Sequence, residues 1–188
     1  ATSSTSPRQA IMEVCRFNST AMEGNALTGI EDYISRMKEG QDTIFYLTGD
    51  KLDVLRLSPQ LEGFAKRGIE VLLLSDHVDD FWVNVVTDYK GKKLKSVTRA
   101  DIDLDKLGEQ DSAKKDEEKP KETEANVQAL CTRIKEILGD NIKDVRTTNK
   151  LTGSAVCLAV EEGAMDFRLE RFLIEQKQLN TASAKILE

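Results

Sequence analysis

Gly68-Ile69-Glu70-Val71-Leu72-Leu73-Leu74-Ser75-Asp76 is the stretch that decides the fold. Five large apolar residues stand between a glycine and a Ser-Asp pair, with only Glu70 interrupting them. A run this short, bounded by turn residues, predicts a strand buried on both faces, as in a parallel sheet covered by helices. Burying Ile69, Val71, Leu72, Leu73 and Leu74 contributes roughly 1.5–3 kcal/mol each. That gross sum is comparable with a whole domain's net stability of about 5–15 kcal/mol, so the flanking segments must cover this strand.

Upstream, Thr43-Ile44-Phe45-Tyr46-Leu47-Thr48 predicts a strand that Gly49-Asp50 ends. Before it, Thr28-Gly29-Ile30-Glu31 fits a capping box. Ile30, Tyr33, Ile34 and Met37 then follow at i, i+3, i+4 and i+7, one apolar helical stripe, and Gly40 stops the helix. Arg8 to Phe17 predicts a short helix carrying Ile11, Val14 and Cys15, with a polar loop from Asn18 to Leu27. Between the two strands, Leu52 to Leu57 predicts a helical turn. Ser58-Pro59 then supplies an N-cap and an N1 proline for a helix bearing Leu61 and Phe64.

Downstream, Asp79 is placed to cap an apolar helix from Asp80 to Asp88, Tyr89 to Lys93 forms a turn, and Leu94 to Val97 a third strand. The sum is an α/β fold, a small three-layer αβα unit with right-handed crossovers. From Asp101 the composition changes: ten acids and five lysines by Glu124 carry a net −5 of the chain's −6. Residues 108–126 hold no large apolar side chain, so residues 101–125 are expected to be a solvated linker between domains 1–100 and 126–188.

The second domain opens on an amphipathic helix with Val127, Leu130, Cys131, Ile134, Ile137 and Leu138. Ile142 to Thr148 and Ser154 to Val160 predict strands, the latter buried, and Met165 to Gln176 a helix. The core is thin and the apolar pattern is still rising at Lys185-Ile186-Leu187-Glu188, so a truncated α+β domain is expected.

Composition narrows the function classes. Charged residues are 32% and apolar ones 39%, and no apolar run approaches the roughly 18–20 residues that span a bilayer. The formal charge of −6 argues against a nucleic-acid partner. The opening residues Ala1 to Arg8 lack the apolar core of a secretory signal. Cys15, Cys131 and Cys157 are odd in number and far apart, which fits reduced thiols and a cytoplasmic setting.

An α/β unit invites an enzymatic reading. Thr48-Gly49-Asp50-Lys51 has the spacing of neither glycine-rich phosphate loop, His77 is the only histidine, and no serine sits in G-x-S-x-G. Asp76, Asp79 and Asp80 follow a strand's carboxyl end, where α/β sheets hold ligands, so the alternative function is a phosphate or divalent-metal site near Asp76. Helix capping accounts for the same acids. Phe81 and Trp82 are neighbours about 100° apart on a helix; either both pack in the core, or one faces a partner. Met165, Leu169, Phe172 and Leu173 share one helical face, which is either core or an adaptable surface for apolar partners.

Several segments resemble the 90-kDa heat-shock chaperone family. They include residues 33–41 and 44–49, Ser58-Pro59-Gln60-Leu61-Glu62-Gly63-Phe64, residues 68–76, and residues 88–97. Arg133-Ile134-Lys135, Lys143-Asp144-Val145-Arg146, Leu151-Thr152 and Ala155-Val156-Cys157-Leu158 continue the match in the family's order, closest to its bacterial branch.

The resemblance implies a client-binding fragment of an ATP-dependent, dimeric chaperone that remodels partly folded proteins. Residues 1–100 would be the later middle domain and 126–188 the start of the C-terminal domain, without the terminal helices that dimerise the family. It implies no enzyme activity and no cofactor in this fragment. ATP and Mg²⁺ would belong to a full-length homodimer, whose N-terminal domain and hydrolysis-assisting arginine are expected to be absent here. It places client contacts on Asp80, Phe81 and the adjoining Trp82, and on Met165, Leu169, Phe172 and Leu173. Where relatives carry an acid followed by tryptophan, this chain has Asp80-Phe81, with Trp82 displaced by one.

Overall fold

The computed structural model describes residues 7–24, 26–104 and 121–188, in two compact units, Ala1–Val97 and Thr98–Glu188. Most of the acidic stretch expected as a linker lies outside the described residues.

The first unit is a five-stranded mixed sheet of order β1-β3-β2-β5-β4, made by Asn18–Ser19, Leu72–Leu74, Thr43–Thr48, Lys92–Ser96 and Asp88–Tyr89 in turn. β2 runs parallel to both β3 and β5, with Tyr46 opposite Leu72 and Ile44 opposite Leu94. The two short edge strands pair antiparallel. Strand β3 therefore has a neighbour on each side, and Leu72, Leu73 and Leu74 are buried.

The strand is shorter than its apolar run because the run begins as a helix cap. Helix α4, Glu62–Lys66, ends with Gly68 at φ +63°. The Gly68 N–H donates to Ala65 O (3.0 Å) and the Ile69 N–H to Phe64 O (2.9 Å), the paired bonds of a Schellman motif. Ile69 and Phe64, both buried, supply its apolar contact.

Both sheet faces are covered. On one, Ile44, Tyr46, Leu72 and Leu74 join Met12 of α1 (Pro7–Val14), Phe17, and Ile30 and Tyr33 of α2 (Ile30–Ser35) in one apolar cluster. On the other, Phe45 packs edge-on against Phe64, ring centroids 5.0 Å apart. The Tyr33 hydroxyl ties the layers. It donates to Glu70 O (2.8 Å) and accepts from the Phe45 N–H (3.0 Å), and burial pushes its pKa well above the usual phenol range.

Several local expectations are corrected. Helix α1 buries Met12 and exposes Ile11 and Val14, and of the expected face only Cys15, just past the helix's end, packs against the core. The cap of α2 is Gly29, whose N–H reaches Asp32 Oδ2 (3.4 Å), one position later than expected. Glu31 is thereby released to accept from the Tyr89 hydroxyl and pair with Lys90, which together hold its carboxyl below the usual range.

The apolar helix expected to reach Asp88 stops early: α5 is Asp79–Trp82. Val83, Val85 and Val86 are poor helix formers, and Asp88–Tyr89 goes instead to a hairpin edge. Lys90 (φ +47°) and Gly91 (φ +79°) make its two-residue turn, both left-handed as a type I′ turn requires. Helix α3 spans Leu52–Arg56, and Ser58 caps the turn Pro59–Leu61 as expected.

In the second unit, β6 (Ile142–Val145), β8 (Lys185–Leu187) and β7 (Leu158–Ala159) form a sheet of order β6-β8-β7. The expected rising pattern at the chain's end is the central strand, parallel to β6 and antiparallel to β7. The expected buried strand 154–160 shrinks to β7, with Val156 and Leu158 exposed and Ala159 and Val160 buried. Residues 98–104 belong to this unit: the Ala100 N–H donates to Val160 O (2.9 Å), and Ile102 and Leu104 join its buried set. The Lys150 ammonium, fully buried, donates to Arg99 O (3.0 Å) and pairs with Glu188. Helix α6, Lys121–Leu138, buries none of its described side chains, and α7 spans Phe167–Glu175.

Candidate functional site

The expected contact residues fall in two places, one per unit. In the first, the loop after β3 turns into α5, and Asp79 organises it. Its Oδ2 accepts the Asp76 N–H (3.0 Å) and its Oδ1 accepts the Trp82 indole N–H (2.7 Å). Trp82 is thereby drawn in against Phe17, ring centroids 5.7 Å apart, at the margin of the first unit's core. Phe81, one residue earlier, points elsewhere and is 50% exposed. Val78 and Val85 beside it in sequence are exposed too, while Asp80 is buried. The adjacent rings divide as helical geometry dictates, one inside and one out.

Behind Trp82 lies a cavity of about 410 Å³ at the carboxyl end of β3, walled by Met12, Cys15 and Val86, with the exposed Ile11 and Val78 also on its lining. Sequence reasoning missed this cavity. Both Ile11 and Met12 of α1 line it, and spacing along α1 alone does not reveal a space shared with residues 73–86.

The alternative metal site does not take shape at Asp79. Both of its carboxylate oxygens are engaged by protein donors, and no three His, Cys, Asp or Glu side chains come together as a metal-binding group among the described residues. Nor do the described residues fit the phosphates of ATP at the turn after β2. The Gly49 N–H, the amide that such a turn would offer, is spent on Leu74 O (3.0 Å).

In the second unit, Met165, Leu169, Phe172 and Leu173 are each half-buried. The buried side chains of α7 are instead Arg168 and Glu170, with Asp166 at its N-cap also buried. Glu170 Oε1 accepts the Ser183 N–H (2.8 Å) and hydroxyl (2.5 Å), and Oε2 accepts the Lys185 ammonium (2.5 Å). Burial works to raise the Glu170 pKa, but the hydrogen bonds from Lys185 and Ser183 outweigh it, and the carboxyl is held below its ordinary value. Local sequence pattern carries no sign of this network, because the partners lie 13 and 15 residues away, across a loop.

No helix among the described residues is long and apolar enough to cross a membrane. The whole chain, residues 1–188, matches the family model described as Hsp90 protein. It is 54% identical over 187 residues to the chaperone protein HtpG of Ehrlichia canis, covering 96% of this chain and 29% of that protein. It is 52% identical to the HtpG of Wolbachia pipientis wMel and 49% to that of Rickettsia canadensis, over 98% of this chain in each case. These alignments cover 28% and 29% of the two relatives, so the chain spans less than a third of their length.

Proposed function

Because the chain belongs to the Hsp90 family, we propose that it is the client-contacting part of an HtpG-type chaperone. Residues 1–100 act as the end of a middle domain and 126–188 as the start of a C-terminal domain, joined by the acidic residues 101–125. ATP with Mg²⁺ is bound and turned over by other parts of a longer, homodimeric, cytoplasmic protein, and this segment supplies surface for partly folded proteins.

The observation that carries this function is apolar surface left unspent where the family resemblance places client contacts. Phe81 is half exposed, and the apolar side chains of α7, none of them exposed outright, each keep part of their surface in water. Trp82 is the exception: its ring is engaged with Phe17 and Asp79, so it shapes the first site from behind rather than presenting a face. Met165, which the structure leaves just before the N-cap of α7 rather than on the helix, and Leu169, Phe172 and Leu173 on it offer on the order of a few hundred Å² at most, less than half of the roughly 800 Å² per partner of a standard interface. Binding is therefore weak and broad, and two copies in a dimer strengthen it.

The test is fluorescence anisotropy with labelled, reduced and alkylated α-lactalbumin as an unfolded probe. Replacing Met165 and Phe172 together with serine is expected to weaken binding several-fold while Tm stays within a few degrees. A steep fall in Tm assigns the stripe to the core and ends this reading.

A further inference from the structure

Helix α7 buries two charged side chains at least as deeply as its apolar ones. Amphipathic helices on a domain surface ordinarily spend their apolar stripe on the core and leave charges in water. In α7 the five apolar side chains, Phe167, Leu169, Phe172, Leu173 and Ile174, are all half-buried, while Arg168 and Glu170 are buried. The contact that fixes Glu170 reaches the central strand of the sheet. Lys185 stands in β8, between β6 and β7, and its ammonium bridges Glu170 Oε2 and the Ser183 hydroxyl (2.8 Å). The same ammonium lies 5.3 Å from the centre of the Phe167 ring. Both carboxylate oxygens are thus saturated by donors from one short segment, residues 183–185.

We propose that the Glu170–Lys185 pair is a positioning device for the α7 contact face, docking the helix through charge so that its apolar stripe stays available to an unfolded segment. This rests on the client-contact reading of that stripe. A buried ion pair is a poor way to gain stability, since apolar residues of similar volume often do as well or better. Its particular contribution is direction. A carboxylate satisfies both oxygens at one rotation of the helix, whereas an apolar stripe finds many near-equivalent ways to roll onto a sheet. Without the pair, the stripe itself becomes the best available docking face, and the helix settles by covering Leu169, Phe172 and Leu173. Glu170 and Lys185 are positioning residues in this scheme and touch no client.

Three variants of the full chain test this, with the same labelled, reduced and alkylated α-lactalbumin as probe. Glu170→Met with Lys185→Met removes the charges and keeps the volume. Binding is expected to fall at least fivefold while Tm holds or rises, a combination that a purely structural role does not produce. A smaller loss with Tm retained overturns the proposal. If this variant melts lower, the reversed pair, Glu170→Lys with Lys185→Glu, decides: recovery of both Tm and binding supports the device, and recovery of Tm without binding overturns it. Phe172→Ser separates the two levels of inference. If it binds like the parent chain, the contact-face reading fails; if it weakens binding and the methionine pair does not, only the positioning role fails.

Discussion

Helices α5 and α7 each carry a carboxylate whose two oxygens are engaged by protein donors, and the apolar neighbours fare differently. In α5, Asp79 takes the indole N–H of Trp82 and so carries a large ring toward the core, leaving Phe81 outside. In α7, Glu170 takes donors from Ser183 and, in β8, Lys185, and the apolar side chains of its own helix are only partly buried around it. The difference lies in where the donor sits. A donor three residues away on the same helix turns an aromatic inward, whereas donors at and just before a strand fix the helix without drawing any one apolar side chain fully in. The first arrangement leaves an exposed ring beside a buried acid and the second leaves partly buried apolar side chains around one, and the stability cost of disturbing each should differ.

The largest effect is expected at Trp82. Trp82→Ala removes the ring that packs on Phe17 and leaves the indole's Asp79 acceptor short of a donor. Large-to-small changes of buried aromatics cost about 3–5 kcal/mol, and this half-buried ring should fall near the lower end, about 3 kcal/mol. Urea unfolding followed by circular dichroism measures it. A loss below about 1 kcal/mol would mean that the ring is no more anchored than Phe81, and the contrast between the neighbours would disappear.

That contrast was half legible in the sequence. Neighbouring residues on a helix cannot share a face, so one ring outside was foreseeable; which ring was not read. The signal was present, because Asp79 stands three residues before Trp82, an acid within reach of an indole N–H, and before no other aromatic at that spacing. Strand β2 matched its predicted bounds because five of its six residues are β-branched or aromatic and leave little choice. The two-residue strands β1, β4 and β7 have no periodicity to detect, and β8 becomes central only through partners more than 25 and 40 residues upstream. Glu170 was hidden for the same reason: its burial is set by residues across a loop, and local pattern predicts an exposed acid.

An intermediate effect should appear with pH and sharpen the comparison from the α7 side. The Glu170 carboxyl is held below its ordinary value of 4.5 in the folded chain, first against burial and then by Lys185 and Ser183. A depressed folded pKa contributes stability that is fully present above the unfolded value and is lost as pH falls through the folded value. The stability gap between the parent chain and Glu170→Gln should therefore be constant from pH 7 down to about 5 and shrink below about 4.5. Urea midpoints of both proteins between pH 7 and pH 3 give the curve. A gap that stays constant to pH 3 would show that the Glu170 charge contributes nothing to the docking of α7.

The smallest stability effect belongs to Phe81, and it is the sharpest test of the α5 half of the comparison. The ring is 50% exposed and stands outside the apolar cluster that holds Trp82. Exposed positions away from buried features change stability by about 0.5 kcal/mol or less, so Phe81→Ser should melt within about two degrees of the parent. Its effect on the unfolded probe should be larger than its effect on Tm, since an exposed aromatic beside a buried acid is the apolar contact this site offers. Anisotropy with the labelled probe is expected to show a two- to threefold weaker affinity, about 0.4–0.7 kcal/mol of binding free energy. Trp82→Ala gives the converse, with stability falling first and binding following only as folded protein is lost. If Phe81→Ser melts as low as Trp82→Ala, the two rings serve one core. If it binds like the parent, the first unit's contact lies elsewhere, and the exposed Ile11 and Val78 on the lining of the neighbouring cavity are the next residues to replace.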